Sequence, residues 1–380
     1  MARRWLAVGC AAVMAMAACS KTAKNTASPP TPPSPTAVSS AVISPSPSPS
    51  ASPTPSPSPT PPPSPSPTGA PPPAGAAAES ITFISVQQAW ALAQAATSQV
   101  VLHTVDRGQH WSLAGTLPAG ANAREIRFAN AHDGWAFNPG LYATHDGGVT
   151  WKPTPLPGPV SDVEASGSTA WALQGGAGAV SLLRTSTTSD GWQAVSGLSL
   201  PAASGGQLAL HGTAVYLDVN NTLFSSATGS QFFPLASPCP GQFAPGDLTV
   251  SSATDVEVLC VGDAGAGSST KTVYVSSDAG HSFHALADAP RGGQTVGIAA
   301  ASPTTIAIAA ASGASWVYRT SGADTTWTTP LTFPDGGEGW ADLGFTDATR
   351  GVVVYSPHQD GKIYLTNDAG ATWIPVPFTP

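Results

Sequence analysis

Carboxylates set beside an aromatic are the residues of this chain best placed to do chemistry. The string Asp335-Gly-Gly-Glu338-Gly-Trp340, followed by Asp342, brings three acids around one tryptophan. Two carboxylates about 5 to 10 Å apart across a cleft are the apparatus of glycoside hydrolysis, and acids flanking an exposed ring also bind sugar without cutting it. The plainer reading of the same string is a solvated turn whose tryptophan packs inward. Metal chemistry has less support. The eight histidines are scattered, with no His-x-His or His-Glu-x-x-His spacing, and Asp146-Gly147 and Asp360-Gly361 lack the alternating ligands of a calcium loop. No glycine-rich loop leads into a helix, where phosphate would be cradled. Neither a metal nor a cofactor is expected. Of the four cysteines, Cys10 and Cys19 fall near the N-terminus, which leaves Cys239 and Cys260. Two thiols in an exported chain normally pair, and without a Cys-x-x-Cys spacing redox catalysis is not indicated.

The elements that must position these residues are repeats. Seven times the chain writes a Ser or Thr, a turn rich in Asp and Gly, and an aromatic seven positions on. Clear copies are Thr144-His-Asp-Gly-Gly-Val-Thr-Trp151, Thr366 to Trp373, Ser276 to Phe283 and Thr104 to Trp111; eroded ones run Thr185 to Trp192, Ser225 to Phe232 and Thr320 to Trp327. Successive starts lie 40, 41, 40, 51, 44 and 46 residues apart. Each repeat holds short apolar runs separated by Gly, Pro, Asp and Ser, such as Glu125-Ile-Arg-Phe, Gly134-Trp-Ala-Phe and Leu141-Tyr-Ala-Thr, with no lasting 3.6-residue period. The chain therefore reads as all-β. A solenoid or a propeller satisfies the pattern, and the length of the unit favours a seven-bladed propeller of four-stranded antiparallel blades. Leu102, Tyr142, Leu183, Leu223, Tyr274, Tyr318 and Tyr364, each two residues before a phrase, are expected to pack blade on blade, as are Trp90, Trp135 and Trp171. The first and last repeats both look complete, so closure by packing alone or by strand exchange is left open.

The eight-residue phrase resembles the Asp-box, or bacterial neuraminidase repeat, and with Gly-Trp-Ala before it the head is similar to propellers of the sialidase-like and photosystem II assembly-factor-like kind. The resemblance implies a hairpin between third and fourth strands, with Asp106, Asp146, Asp278 and Asp368 in structural roles on the rim away from any ligand. Glycosidases, sorting receptors and assembly factors share the motif, so it carries fold better than function. A sialidase would need three arginines, a Tyr activated by Glu, an acidic Asp and a Phe-Arg-Ile-Pro motif. The nearest string, Arg124-Glu-Ile-Arg127-Phe, lacks the proline, and no such constellation is recognisable.

Residues 1–19 read as an export signal: Arg3 and Arg4, then an apolar run too short to span a bilayer, then Met16-Ala17-Ala18-Cys19. The ending resembles a bacterial lipobox, which implies lipidation of Cys19; cleavage without lipidation and free secretion is the alternative. Residues 20–75 form a disordered tether rich in Pro, Ser and Thr, and residues 76–380 the propeller. Its proline-rich stretch reaches on the order of 140 Å if extended. All 22 acids lie in the head against ten of the 14 Lys and Arg, a net charge of about −12, which disfavours nucleic acid and polyanions.

Topology puts a ligand surface at the mouth opposite the phrases, where Arg124, Asn138, Arg291, Asp335, Glu338, Trp340, His358 and Asp360 are the candidates. The expected protein is a monomeric, non-catalytic binding or assembly module on the outer face of the cytoplasmic membrane or in the cell wall. It would touch the membrane through its lipid only and bind an envelope protein or a neutral glycan. The alternative is a sialidase-like glycoside hydrolase acting on envelope or host glycans.

Overall fold

A computed structural model describes residues 69–380 apart from 177, 323–325, 337–338, 356–360 and 379–380, with the backbone alone given for 335 and 336. The leader, Cys19 and the tether up to residue 68 lie outside the described residues. Seven four-stranded antiparallel sheets follow one another along the chain, each made of four consecutive strands. No helix occurs among the described residues. This is a seven-bladed propeller rather than a solenoid.

Burial along the strands explains the arrangement. Second strands such as Ala89–Gln94 and Gly134–Phe137 are buried on both faces because a neighbouring blade covers each side of the sheet. Seven apolar clusters result, one at each blade interface. Trp90 of blade 1, for example, stacks on Phe128 of blade 2 with ring centroids 4.1 Å apart. Several outermost strands, Lys152–Pro153 and Gln193–Ala194 among them, have two exposed residues, and so short an edge gives another chain little to pair with. Blade 6 departs from this: its outer strand runs Trp327–Gly336. Asp335 and Gly336 thus extend a strand, instead of belonging to the loop that the sequence suggested.

The third and fourth strands are joined by the repeated phrase. In blade 1, Gly108 N donates to Thr104 Oγ1 at 2.9 Å, Thr104 donates to Asp106 Oδ1 at 2.9 Å and His110 N donates to the same oxygen at 3.0 Å. Arg107 and Gly108 take φ of 67° and 80°, the left-handed region that makes Gly the easy residue there. Trp111 then folds back and gives its Nε1 proton to Gly108 O at 3.0 Å. Asp146, Asp278 and Asp368 repeat the bonding, each accepting a backbone N–H four residues on. The fourth hairpin differs: Ser225 pairs with Phe233, whereas Ala143 pairs with Lys152 in blade 2, so blade 4 is one residue shorter here.

The ring closes without strand exchange. Val352, Val354 and Ile363 of blade 7 pack on Ala78, Ala91 and Val100 of blade 1, and Ile81 N donates to Asp342 Oδ2 at 2.7 Å across the same seam. Cys239, in the loop before blade 5, forms a disulfide with Cys260 in that blade's second strand, with Cα atoms 5.4 Å apart.

Candidate functional site

The innermost strands of all seven blades surround a central cavity of about 730 Å³. Strand alternation decides what faces it. In Glu125–Phe128 the buried residues are Ile126 and Phe128, which leaves Glu125 and Arg127 on the channel side. Arg127 is the centre of the charge cluster. Its Nε donates to Glu164 Oε1 at 2.9 Å, one Nη lies 3.5 Å from Asp342 Oδ1, and the other lies 3.8 Å from Glu125 Oε2. Carboxylates from blades 2, 3 and 7 therefore converge on one guanidinium, which also lies 5.9 Å from the Phe137 ring centroid.

The electrostatics follow from that crowding. Burial opposes the charge on Arg127, but Glu164, Asp342 and Glu125 outweigh it and hold the pKa well above the ordinary value. For the acids the balance goes the other way. Burial, with repulsion from Glu164 and Glu125, pushes Asp162 well up; burial also raises Glu125 and lifts Asp247 to about 7. One arginine does not compensate the negative charge gathered here.

Three of these acids also hold neighbouring blades together. Asp162 Oδ2 accepts from Leu208 N at 2.7 Å, Asp247 Oδ2 from Ile298 N at 2.8 Å and Asp342 Oδ2 from Ile81 N at 2.7 Å. In blade 1 the same bond is made by a hydroxyl, Ser80 Oγ accepting from Ile126 N at 3.0 Å. Each of these four inner strands carries a register shift next to the bonding residue, and such bulges re-aim side chains. Between blades 4 and 6 the lining is more apolar apart from Asp247: Leu210 and Val250 reach it from the blade interfaces into which they pack, and Val296 is 46% exposed.

Three of the residues singled out from sequence line this cavity: Arg124, Asn138 and Trp340. Asn138 donates to Glu125 Oε1 at 2.9 Å, and Arg124 is exposed at the mouth. Trp340 is only 5% exposed, packed among Phe333, Tyr355 and Tyr364, so its ring is an interface residue rather than an open sugar platform. Arg291 is elsewhere. It bonds Thr270 Oγ1 and Asp263 O on blade 5, above a backbone segment whose Arg291 and Gly292 carbonyls accept from the buried Lys271 Nζ. The side chain of Asp335, and Glu338, His358 and Asp360 entirely, lie outside the described residues. Sequence reasoning did not select Arg127, Asp162, Glu164 and Asp247. The available signal was an acid in the first strand of repeats three, five and seven.

No known family profile matches the chain, and no curated protein matches it in sequence. Solved structures do resemble it. One described as YCF48 bound to D1 peptide is 16% identical, covering 77% of this chain and 94% of its own, with a TM-score of 0.55. YCF48 from Cyanidioschyzon merolae is 18% identical over 78% of this chain and 97% of its own, with a TM-score of 0.56. The GH74 enzyme of Niastella koreensis is 13% identical over 79% and 71%, and its TM-score of 0.33 is too low to carry an argument. At such identities, what the YCF48 structures share with this chain is the fold.

Proposed function

We propose that this chain is an exported, lipid-anchored propeller that serves as a non-catalytic binding or assembly module at the bacterial cell envelope, with the channel mouth as its working surface. The observation that carries this reading is the state of the channel carboxylates. Glycoside hydrolysis needs two acids free to protonate and attack, whereas Glu125, Glu164 and Asp342 are grouped around one guanidinium. A large, polar mouth in which these three acids are so engaged suits recognition better than turnover. A propeller of similar fold, YCF48, has been seen bound to a peptide, which supports a protein partner over a neutral glycan. The repeated phrases are Asp-boxes on this reading, and they frame the opposite rim. Residues 1–19 direct export, Cys19 carries the lipid, and residues 20–75 hold the head away from the membrane.

The test is capture of partners from envelope extracts by the full chain, beside a panel of fluorogenic glycosides. A partner retained by the native protein and lost on Arg124→Glu supports the reading. Hydrolysis of a glycoside that disappears on Glu125→Gln or Asp342→Asn overturns it in favour of the hydrolase. Radiolabelled palmitate incorporation that does not depend on Cys19 would remove the anchor.

A further inference from the structure

Lys271 stands fully buried in the third strand of blade 5, Ser268–Ser276, where a lysine is almost never found without partners for its charge. Its partners are four main-chain carbonyls. Nζ donates to Arg291 O at 2.9 Å, to Ser269 O and Gly292 O at 3.1 Å each and to Pro290 O at 3.4 Å. Among the described residues no acid forms an ion pair with it. An ammonium has three protons to give, so the three shorter contacts use them all. Three of the oxygens belong to consecutive residues, Pro290, Arg291 and Gly292, in the crossover from blade 5 to blade 6. Consecutive carbonyls turned toward one point bring their negative ends together, which a chain tolerates where a cation sits among them, as in the carbonyl rings that hold potassium. Burial, and then the charge of Arg291, bring the Lys271 amine down to about 8, which leaves it mostly protonated at pH 7.

The crossover matters because of where it leads. It continues directly into Gln294–Ser302, the inner strand of blade 6, whose Val296, Gly297 and Ile298 line the channel. Ala289 N donates to Lys271 O at 2.8 Å and Gly293 N to Gly267 O at 3.0 Å, while Tyr318 of blade 6 gives its hydroxyl proton to Gly292 O at 3.1 Å. From this geometry we infer that the four carbonyls form a site for a monovalent cation of potassium or ammonium size, which Lys271 fills from within the chain, and that this tethered cation fixes the blade 5 to 6 sector of the channel mouth. Four neutral oxygens suit a single charge, whereas calcium takes about six to eight oxygens, carboxylates among them. The clamp would serve a binding mouth and a catalytic one equally well.

The experiment compares the full chain with Lys271→Ala, which empties the cage, and Lys271→Met, which keeps the stem without the charge. Trypsin cleavage after Arg291 is scored by mass spectrometry against cleavage after the exposed Arg124 of the same molecule, at pH 7 and one ionic strength, in tetramethylammonium, potassium or ammonium chloride. The native chain should be cut after Arg291 at the same relative rate in all three salts. Lys271→Ala should be cut roughly tenfold faster in tetramethylammonium, which is too large for the cage, as expected for the loss of hydrogen bonds to a charged group. Potassium or ammonium should restore most of its protection. Lys271→Met should be cut as fast in every salt, because its methyl end occupies the cage. A methionine variant as resistant as the native chain overturns the inference, since charge is then not what holds the crossover. Failure of both small cations to protect Lys271→Ala, or equal protection of all three chains by potassium, overturns the cation site. Should the variants not fold, the native chain decides alone: the Lys271 Nζ protons should give a slowly exchanging 15N-coupled signal at pH 7, and exchange as fast as that of the exposed Lys152 overturns the cage. None of these results bears on whether the mouth binds a partner, which the envelope capture described above tests by itself.

Discussion

The rim and the channel of this propeller use the same side chain to opposite ends. On the rim, Asp278 accepts from Ser282 and Ser276, and these bonds hold its carboxyl down at about 2. Asp146 and Asp368 are likewise lowered: burial pushes each up, and the hydrogen bonds each accepts, from Thr150 and Thr144 or from Thr372 and Thr366, together outweigh it. In the channel, Asp162, Asp247 and Glu125 are raised. A rim acid is ionised, saturated by donors four residues away and repeated from blade to blade. A channel acid is pushed up first by burial and then by nearby acids. The contrast teaches that aspartate at the rim is an architectural part, while aspartate in the channel carries a surplus of charge.

The largest expected effect comes from removing the cation on which Glu125, Glu164 and Asp342 converge. Arg127→Met leaves Glu164, Asp342 and Glu125 unpaired and should destabilise the head by about 3 kcal/mol near pH 8. The loss should shrink at pH 5, where Glu125, raised above its ordinary value by burial, takes up protons. Urea denaturation at the two pH values checks this, and equal losses at both would mean that the cluster is not what Arg127 supports. Next comes a covalent control that belongs to neither region. Cys239→Ser opens a disulfide with a sequence separation of 21, and loop entropy predicts a loss of roughly 3 kcal/mol. The effect should vanish when both proteins are compared in reductant. A rim substitution is smaller: Asp146→Ala removes the bonds from Thr144, Thr150 N and Thr150 Oγ1, for about 1 to 2 kcal/mol. It should not change the capture of partners from envelope extracts. If it does, the two regions are not independent.

The rim was legible in the sequence for a physical reason: every group in a hairpin lies within eight residues of its partners, so local spacing specifies it. Thr104, Asp106, Gly108 and Trp111 bond to one another, and repetition made the ring countable. The cysteine pair was legible as well, since residues 76–380 hold only Cys239 and Cys260. Even so, the one-residue contraction of the fourth hairpin was hidden, because Ser225 and Ser226 are adjacent serines and only strand register tells them apart. The channel was far less readable. Arg127, Glu164 and Asp342 come from blades 2, 3 and 7, and only closure of the ring brings them together. Of the residues chosen by loop position, Arg124, Asn138 and Trp340 line the cavity, because strand ends converge there. Arg291 is drawn onto the blade 5 hairpin by Thr270 and Asp263.

The smallest effect sharpens the comparison most, because its sign differs between the regions. Asp247 has a folded pKa of about 7 against an ordinary 3.8. Between those values the folded chain holds a proton that the unfolded chain has released, so this group's contribution to stability falls as pH rises through the interval and is lowest above 7. Asp247→Asn removes that penalty and can still accept from Ile298 N. The variant should therefore melt higher than the native protein at pH 8, by roughly 2 to 4 °C, and no higher at pH 4. For Asp278 the folded value, about 2, lies below the ordinary 3.8, so its stabilisation is present above 3.8 and lost as pH falls through 2. Asp278→Asn should accordingly lower the melting temperature at pH 8. Thermal melts of the two asparagine variants, moving in opposite directions at the same pH, are the expected result. A fall in both would mean that the charge on Asp247 serves the fold after all.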